Sequence, residues 1–507
     1  MRHNAATLLF TVLSGTSLAQ ASEQASVWPT AGWPTSTPEA QGMSPSALAD
    51  LVEFGAANAI DSVLVVRHGR VVLDAYYAPF RHGLKHAVNS VTKGVVGTLA
   101  GIAFKEGALG PLDASVLAFF PTRNAGEPDE RKQAMTLASL LDSNSGLSWQ
   151  EPLNDDVPDS MLKMERSANW IDFILQRPMA QPPGVSFNYD SGTWHLVSAI
   201  VAKQTGIDTF EYAKQKLFAR LGVTDVAWRR DPQGIPIGGY GLFLQPSDIA
   251  KIGYMYLHGG EWAGEQLLPP EWIAKVFHPQ VDMHVGNYRY ANGWWTIPDQ
   301  RATMAVGFLR QLIIVLPDID TVVAATGSGS YPFRQLIDRV RAAVKSSDPL
   351  PIDAKGDTQL ADRIAEAATE KPSRVQEASS LAKTVSGKTY RFGPNAADLK
   401  SLKLNLTATI PSYEVVFGAV GPRRSASRIE SPIGLDGMFR FREEAGLASL
   451  HAVKGSWLSD NVFEIVSRSV LEGVVTRSIL TFTGRRVDIA VELNSGFRAR
   501  LHGETDE

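Results

Sequence analysis

Asn89-Ser90-Val91-Thr92-Lys93 places a hydroxyl and an amine three residues apart, ahead of a run of small and apolar residues that ends near Phe104. In a helix that spacing puts both side chains on one face, so the amine can reach the hydroxyl. A serine hydroxyl alone is a weak nucleophile, and a lysine whose charged form is disfavoured by burial can take its proton. The positive end of the helix dipole adds to this by favouring negative charge on the seryl oxygen. The tetrapeptide by itself also fits a helix cap with a lysine stem lying along apolar surface. Ser160 with Lys163 and Ser380 with Lys383 repeat the pattern, but in polar stretches with no buried helix behind them, which reads as solvated or capping serines.

A second group is Phe187-Asn188-Tyr189-Asp190-Ser191-Gly192, between Pro182-Pro183-Gly184 and a helical stretch over residues 194–204. A tyrosine on such a loop can hold the lysine's protons or act as the base, and Ser191 can pass a proton to a leaving group. The structural alternative is a tyrosine that packs on Trp194 beside a turn. A third group, Ala305-Val306-Gly307, leads through Phe308-Leu309-Arg310 into a strand beginning at Gln311. A glycine on a strand edge lets a carbonyl approach the backbone and leaves an N–H free for an oxyanion, and it can equally serve only a turn.

Several elements must position these groups. Residues 62–73 read as a hairpin turning at Arg67-His68-Gly69-Arg70, and residues 90–104 as a helix buried on every side with Gly107 near its end. Residues 110–230 carry helical periods between Pro- and Asp-rich loops. Strand text returns at 311–317 and 321–326, and 331–345 closes with a helix. The pattern predicts an α/β (α+β) core, strands at both ends and a helical insertion between. Residues 346–382 read as a linker holding one polar helix, and residues 383–507 as an all-β, barrel-like or sandwich domain built from short runs such as 389–392, 412–417 and 462–466.

The 507 residues are 44% hydrophobic and 20% charged, with 49 Lys+Arg against 53 Asp+Glu, a globular composition with no basic excess to attract nucleic acid. The absence of cysteine excludes disulfides, thiolate metal sites and a cysteine nucleophile. Arg2 and His3, an apolar run around residues 8–13 and Ala19-Gln20-Ala21 read as a signal peptide over residues 1–21, leaving a hydrolase domain at 22–345. No later apolar stretch is long enough to span a bilayer, so the expectation is a periplasmic or secreted protein without a transmembrane segment.

Together the three motifs, with Thr136-Leu137-Ala138-Ser139-Leu140-Leu141, Gly239-Tyr240-Gly241-Leu242 and Gly293-Trp294-Trp295, resemble the serine β-lactamase and penicillin-binding-protein superfamily. The likeness, from about Ser62 to Lys345, is to its class C, D-Ala-D-Ala carboxypeptidase and family VIII esterase branch. It implies a β-lactamase/transpeptidase-like fold, an antiparallel sheet flanked by helices with a helical subdomain, acylation at Ser90, and proton handling by Lys93 and Tyr189. The C-terminal domain resembles the lipocalin-like appendages of some relatives. Two departures stand out. Tyr189-Asp190-Ser191 replaces Tyr-x-Asn, as in esterase and amide-hydrolase relatives. The Lys-Thr-Gly motif is missing, with no lysine between Lys275 and Lys345. Ala305-Val306-Gly307 fills that slot; the missing lysine speaks against efficient β-lactam turnover, while Arg310 is a nearby cation that could stand in for it.

The reading is an esterase- or amidase-type serine hydrolase acting on a small ester, amide or peptide and needing no cofactor or metal, with Ser191, Gly307, Arg310 and Gln311 as substrate or oxyanion contacts. β-Lactamase or D,D-carboxypeptidase activity and a non-catalytic cell-wall peptide binder remain as alternatives. No Gly-x-Ser-x-Gly elbow is present, and Gly387-Lys388-Thr389 lacks the earlier glycine of a phosphate loop. His82 and His86 share a metal-like spacing but read as surface residues.

Overall fold

The structure, a computed structural model, describes residues 27–151, 159–395, 397–418, 427–443, 446 and 450–506. The expected signal segment, residues 1–21, lies outside the described residues. An eight-stranded sheet forms the first half. In chain order its strands are β1 (Ile60–Arg67), β2 (Arg70–Tyr76), β3 (Val281–Asp282), β4 (Arg289–Ala291), β5 (Trp294–Ile297), β6 (Ala302–Gly307), β7 (Gln311–Leu316) and β8 (Thr321–Gly327). The order across the sheet is β2-β1-β8-β7-β6-β5-β4-β3, with every pair antiparallel. Every residue of β1, β6, β7 and β8 is buried, so both faces are covered, which explains their β-branched text without polar alternation.

Helices α1 (Pro45–Ala57), α2 (Val91–Lys105) and, further along the chain, α4 (Pro246–Leu257) lie against the sheet, while α3 (Ser191–Thr205) packs on α2 and α5 (Phe333–Ala343) on α1. Helix α2 is buried from Val91 to Ala103, as its all-round apolar text predicts. Its glycines are there for space. A Cβ on Gly97 would lie 2.2 Å from the Asn292 carbonyl oxygen, and one on Gly101 would lie 2.5 Å from Leu268. The insertion between β2 and β3 is largely helical, and it also carries a small sheet of His86–Ala87, Leu242–Leu244 and Ala227–Trp228.

Residues 346–382 are not a free linker. They contain helix α6 (Ala354–Ala368), which packs along α1 and buries Leu360 in the first domain's core. Its exposed face is charged, and that is what makes the segment read as a linker with a polar helix. Among the described residues the second domain is one ten-stranded antiparallel sheet. Its strands are β9 (Thr389–Phe392), β10 (Leu399–Asn405), β11 (Ser412–Phe417), β12 (Ser427–Pro432), β13 (Arg440–Glu443), β14 (Leu450–Ser459), β15 (Val462–Ser469), β16 (Val474–Thr483), β17 (Arg486–Leu493) and β18 (Arg498–Glu504). The order β12-β11-β10-β9-β18-β17-β16-β15-β14-β13 curls until β12 and β13 meet, a nearly closed barrel. Its interior is filled by side chains such as Trp457, Phe463, Phe482 and Tyr390. A third cluster, joining Tyr76, Phe80, Ala87 and Phe243 to Leu450, Val470 and Leu471, ties the barrel to the first domain.

Two surface expectations are corrected here. His82 is exposed, but His86 is fully buried and pairs with Asp61 at 3.2 Å, because the barrel covers the strand on which it lies. Ser160 is buried too, its Oγ accepting from the Gln150 N–H at 2.8 Å, whereas Ser380 is an exposed residue at a helix start.

Candidate active site

Ser90 is the N-cap of α2 and keeps part of its surface open, while Lys93, one turn on, is 1% exposed. The Lys93 amine donates to Ser90 Oγ at 3.0 Å, Ser191 Oγ at 2.8 Å and the Gly239 carbonyl at 2.8 Å. Burial brings this ammonium's pKa down to about 8, against the opposing pull of the Glu151 and Asp190 charges. Tyr189 lies within hydrogen-bonding reach of Ser90, and the Lys93 Nζ stands 4.6 Å from the centre of its ring. Burial holds the phenol's pKa well above its ordinary value, so Tyr189 carries its proton at neutral pH. The loop that delivers it ends where Asp190 caps α3, accepting from the Thr193 N–H at 3.0 Å. Burial also raises the Asp190 carboxyl to about 8.

Ser191 faces the lysine and not an oxyanion position. It donates its hydroxyl to Glu151 Oε1 at 2.5 Å, and its backbone N–H donates to Glu151 Oε2 at 2.8 Å. Trp149 Nε1 donates to the same Oε2 at 2.7 Å. With its proton committed to Glu151, Ser191 Oγ meets Lys93 as an acceptor. Glu151 was not found from the sequence, since a lone acid in a loop 40 residues from its partner leaves no spacing signal. Gly239 belonged to a glycine cluster that could have been questioned for close approach, because a Cβ there would lie 2.8 Å from that of Ser191.

The third group arrives along β6. A Cβ on Gly307 would lie 3.2 Å from the Ser90 backbone nitrogen and 2.4 Å from the Val88 carbonyl oxygen, so glycine keeps the face of the Ser90 amide clear. Residues 308–310 turn back to Gln311, the register partner of Gly307, with positive φ at Leu309 and Arg310. The Asn89 side chain donates to the Phe308 carbonyl at 2.9 Å, tying this turn to the residue before the serine. The Gln311 side chain is fully buried and spent on backbone groups of Phe308, Leu309 and Gly327, so it braces the turn from behind. Arg310 is stacked on Phe333, 5.1 Å from its ring centre, and donates to the Tyr331 carbonyl. The structure thus brings Ser90, Lys93, Tyr189, Ser191 and Gly307 together and holds Arg310 and Gln311 in the turn behind them. Among the described residues no helix is long and apolar enough to cross a membrane.

Comparison with known proteins agrees with this architecture. Residues 48–345, more than half of the chain, match the beta-lactamase family model. A 6-aminohexanoate-dimer hydrolase of Paenarthrobacter ureafaciens is 23% identical over 307 residues, 56% of this chain and 76% of that protein. A solved chain from Bacillus anthracis, assigned by name to the 6-aminohexanoate-dimer hydrolases, superposes with a TM-score of 0.50 at 18% identity, over 66% of this chain and 87% of its own. With a sheet, helical subdomain and residue order that all agree with that match, the chain belongs to the beta-lactamase family and is a serine hydrolase.

Proposed function

We propose that the protein is an exported hydrolase that cleaves ester or linear amide bonds through an acyl-enzyme on Ser90. The observation that carries this reading is the hydrogen bonding of Lys93. Gly239 O and Ser191 Oγ accept two of its hydrogens, so in the neutral amine the lone pair is left for the Ser90 hydroxyl at 3.0 Å. As Ser90 Oγ bonds to the substrate carbonyl carbon, its proton passes to Lys93 and negative charge gathers on the carbonyl oxygen, close to the Ser90 N–H and the Gly307 turn. Tyr189 then passes a proton to the leaving alcohol or amine as that bond breaks, and recovers one from Lys93. Water attacks the acyl carbon, gives its proton to the same pair, and the acid departs as Ser90 regains its hydroxyl.

Linear substrates are favoured over β-lactams because the third motif has no lysine, and because a relative is a 6-aminohexanoate-dimer hydrolase. Export rests on the apolar run and the Ala19-Gln20-Ala21 step. The test is fluorophosphonate labelling and turnover of nitrophenyl esters, linear amides and penicillins by the wild type and Ser90→Ala. Ser90-dependent labelling with ester or amide turnover supports the proposal. No Ser90-dependent labelling would indicate a binder, and stable penicillin acylation would redirect it to cell-wall chemistry. Export is checked by N-terminal sequencing of periplasmic protein, which should begin after Ala21; recovery only from the cytoplasm with residues 1–21 intact overturns it.

A further inference from the structure

The barrel meets the first domain through the turn between β15 and β16, residues 470–473, and that turn touches three segments at once. Leu471 O accepts from the Ala87 N–H at 2.7 Å, three residues before the nucleophile. Glu472 forms an ion pair with Arg229. Arg229 in turn donates its backbone N–H to Gly241 O at 2.9 Å, two residues past the carbonyl that anchors Lys93. Gly473 packs on the end of β8, where a Cβ would lie 2.5 Å from Gly327 O and 3.2 Å from the His86 ring. Asn494 locks the turn in place, its side-chain N–H groups donating to Gly473 O at 2.7 Å and Ser328 O at 2.6 Å.

Each contact continues inward. Gly327 exchanges two hydrogen bonds with the Gln311 side chain, which also donates to Phe308 O and Leu309 O. The same Phe308 carbonyl accepts from Asn89. The small sheet pairs His86 with Leu244 and Ala87 with Phe243, and Leu242 O accepts from the Val88 N–H at 2.9 Å. The serine, the lysine's carbonyl anchor and the glycine turn are therefore all supported from one surface of the barrel.

We propose that the 470–473 turn of the C-terminal barrel is a positioning element of the active site, setting the Ser90 amide, the Gly239 carbonyl and the Gly307 turn in mutual register. Glu472, Gly473 and Asn494 are its positioning residues; none touches substrate. The proposal rests on the acyl-enzyme reading above and assigns the barrel a role within the catalytic unit. Misplacement of catalytic groups by about 1 Å costs up to ~100-fold in rate, so small shifts here would register in turnover.

The test compares ester hydrolysis by full-length wild type, Gly473→Ala, Asn494→Ala, Glu472→Gln and Trp457→Phe, the last lying in the barrel interior. Each kcat is divided by the concentration of sites titrated with a fluorophosphonate, so that loss of folded protein is not counted as loss of rate. The expected result is a kcat about ten- to a hundredfold lower for Gly473→Ala and Asn494→Ala, a smaller loss for Glu472→Gln, KM nearly unchanged, and wild-type values for Trp457→Phe. Wild-type kcat per titrated site in the interface variants overturns the proposal, as does an equal loss in Trp457→Phe. Should Gly473→Ala not fold, Asn494→Ala and Glu472→Gln decide it. A wild type with neither Ser90-dependent fluorophosphonate labelling nor ester turnover instead sinks the hydrolase reading itself.

Discussion

Glu151 grips Ser191 with both carboxylate oxygens, one on the hydroxyl at 2.5 Å and one on the backbone N–H at 2.8 Å. This fixes the direction of a hydroxyl that could otherwise rotate, so that Ser191 offers a lone pair to Lys93. The carboxylate also opposes the effect of burial on the lysine, helping to keep its pKa at about 8.

Replacing Glu151 by Gln should therefore have two separable effects. Removing the negative charge lets burial pull the Lys93 pKa below about 8, which moves the rising limb of kcat/KM to lower pH. Loss of the fixed acceptor should lower the plateau by roughly tenfold, since the lysine's hydrogens are no longer directed away from Ser90. A pH–rate profile reads both, and a lower plateau with an unmoved limb would count against the electrostatic part.

For the wild type, the neutral amine is the reactive form and its fraction grows with pH. Activity should rise through about pH 8 and level above it, with no metal required for the limb. Lys93→Arg keeps a permanent positive charge and offers no lone pair, so it should lose on the order of 10²–10⁴ in the plateau rate and show no limb near pH 8. Profiles of both proteins on one ester provide the check; a flat wild-type profile from pH 6 to 9 would contradict the assignment of Lys93 as base.

Much of this was legible in residue order. The hairpin at 62–73, the buried helix behind Ser90 and the strands at 311–316 and 321–327 follow from local apolar patterning, which tertiary structure here reinforces. In the barrel, β9 and β11 coincide with their text, but β12, β14 and β18 went unread. Arg498-Ala499-Arg500-Leu501-His502-Gly503-Glu504 has one strongly apolar residue, and its strand exists because β9 and β17 pair with it on either side. His86 and Glu151 were misjudged or missed for a related reason. Their roles depend on partners 25 and 40 residues away, Asp61 and Ser191, and separation in sequence carries no period. Gln311 was placed at the right turn, but whether its amide faces substrate or backbone is settled only by packing.

The Asp61 cluster allows a stability prediction across the domain interface. Burial pushes the Asp61 carboxyl up, but the Arg468 charge and the His86 contacts outweigh it and leave the pKa below its ordinary value. Arg468 Nη2 donates to Asp61 Oδ1 at 2.6 Å from the barrel side. A depressed folded-state pKa contributes stability that is complete above the unfolded value, near 3.9, and is lost as pH falls through the folded value. Arg468→Met should leave a buried carboxylate short of its cation and cost about 3–5 kcal/mol at pH 7. Urea unfolding at pH 7 and below pH 4 measures this, and the difference from wild type should shrink in acid. An equal difference at both pH values would show that lost packing, and not charge, carries the effect.

Asp190 provides a way to separate two groups that titrate together. Burial raises its carboxyl to about 8, the same range as Lys93, so a limb near that pH could belong to either group or to both. At neutral pH Asp190 is a protonated acid whose Oδ1 caps α3 and whose Oδ2 has no hydrogen-bond partner among the described residues. Asparagine has the same shape, caps helices equally well and cannot ionise. For the wild type the raised folded-state pKa means that Asp190 contributes most below its unfolded value, near 3.9, and that this contribution declines as pH rises through about 8. Asp190→Asn should remove that decline, matching wild-type stability near pH 4 and exceeding it at pH 9. The activity limb should survive in the variant, moved slightly to lower pH because a charge that raised the Lys93 pKa is gone. Thermal unfolding across pH 4–9 and kcat/KM across pH 5–9 read the two effects independently. Disappearance of the limb in Asp190→Asn would transfer the titration from the amine to the carboxyl and remove Lys93 as the group that activates Ser90.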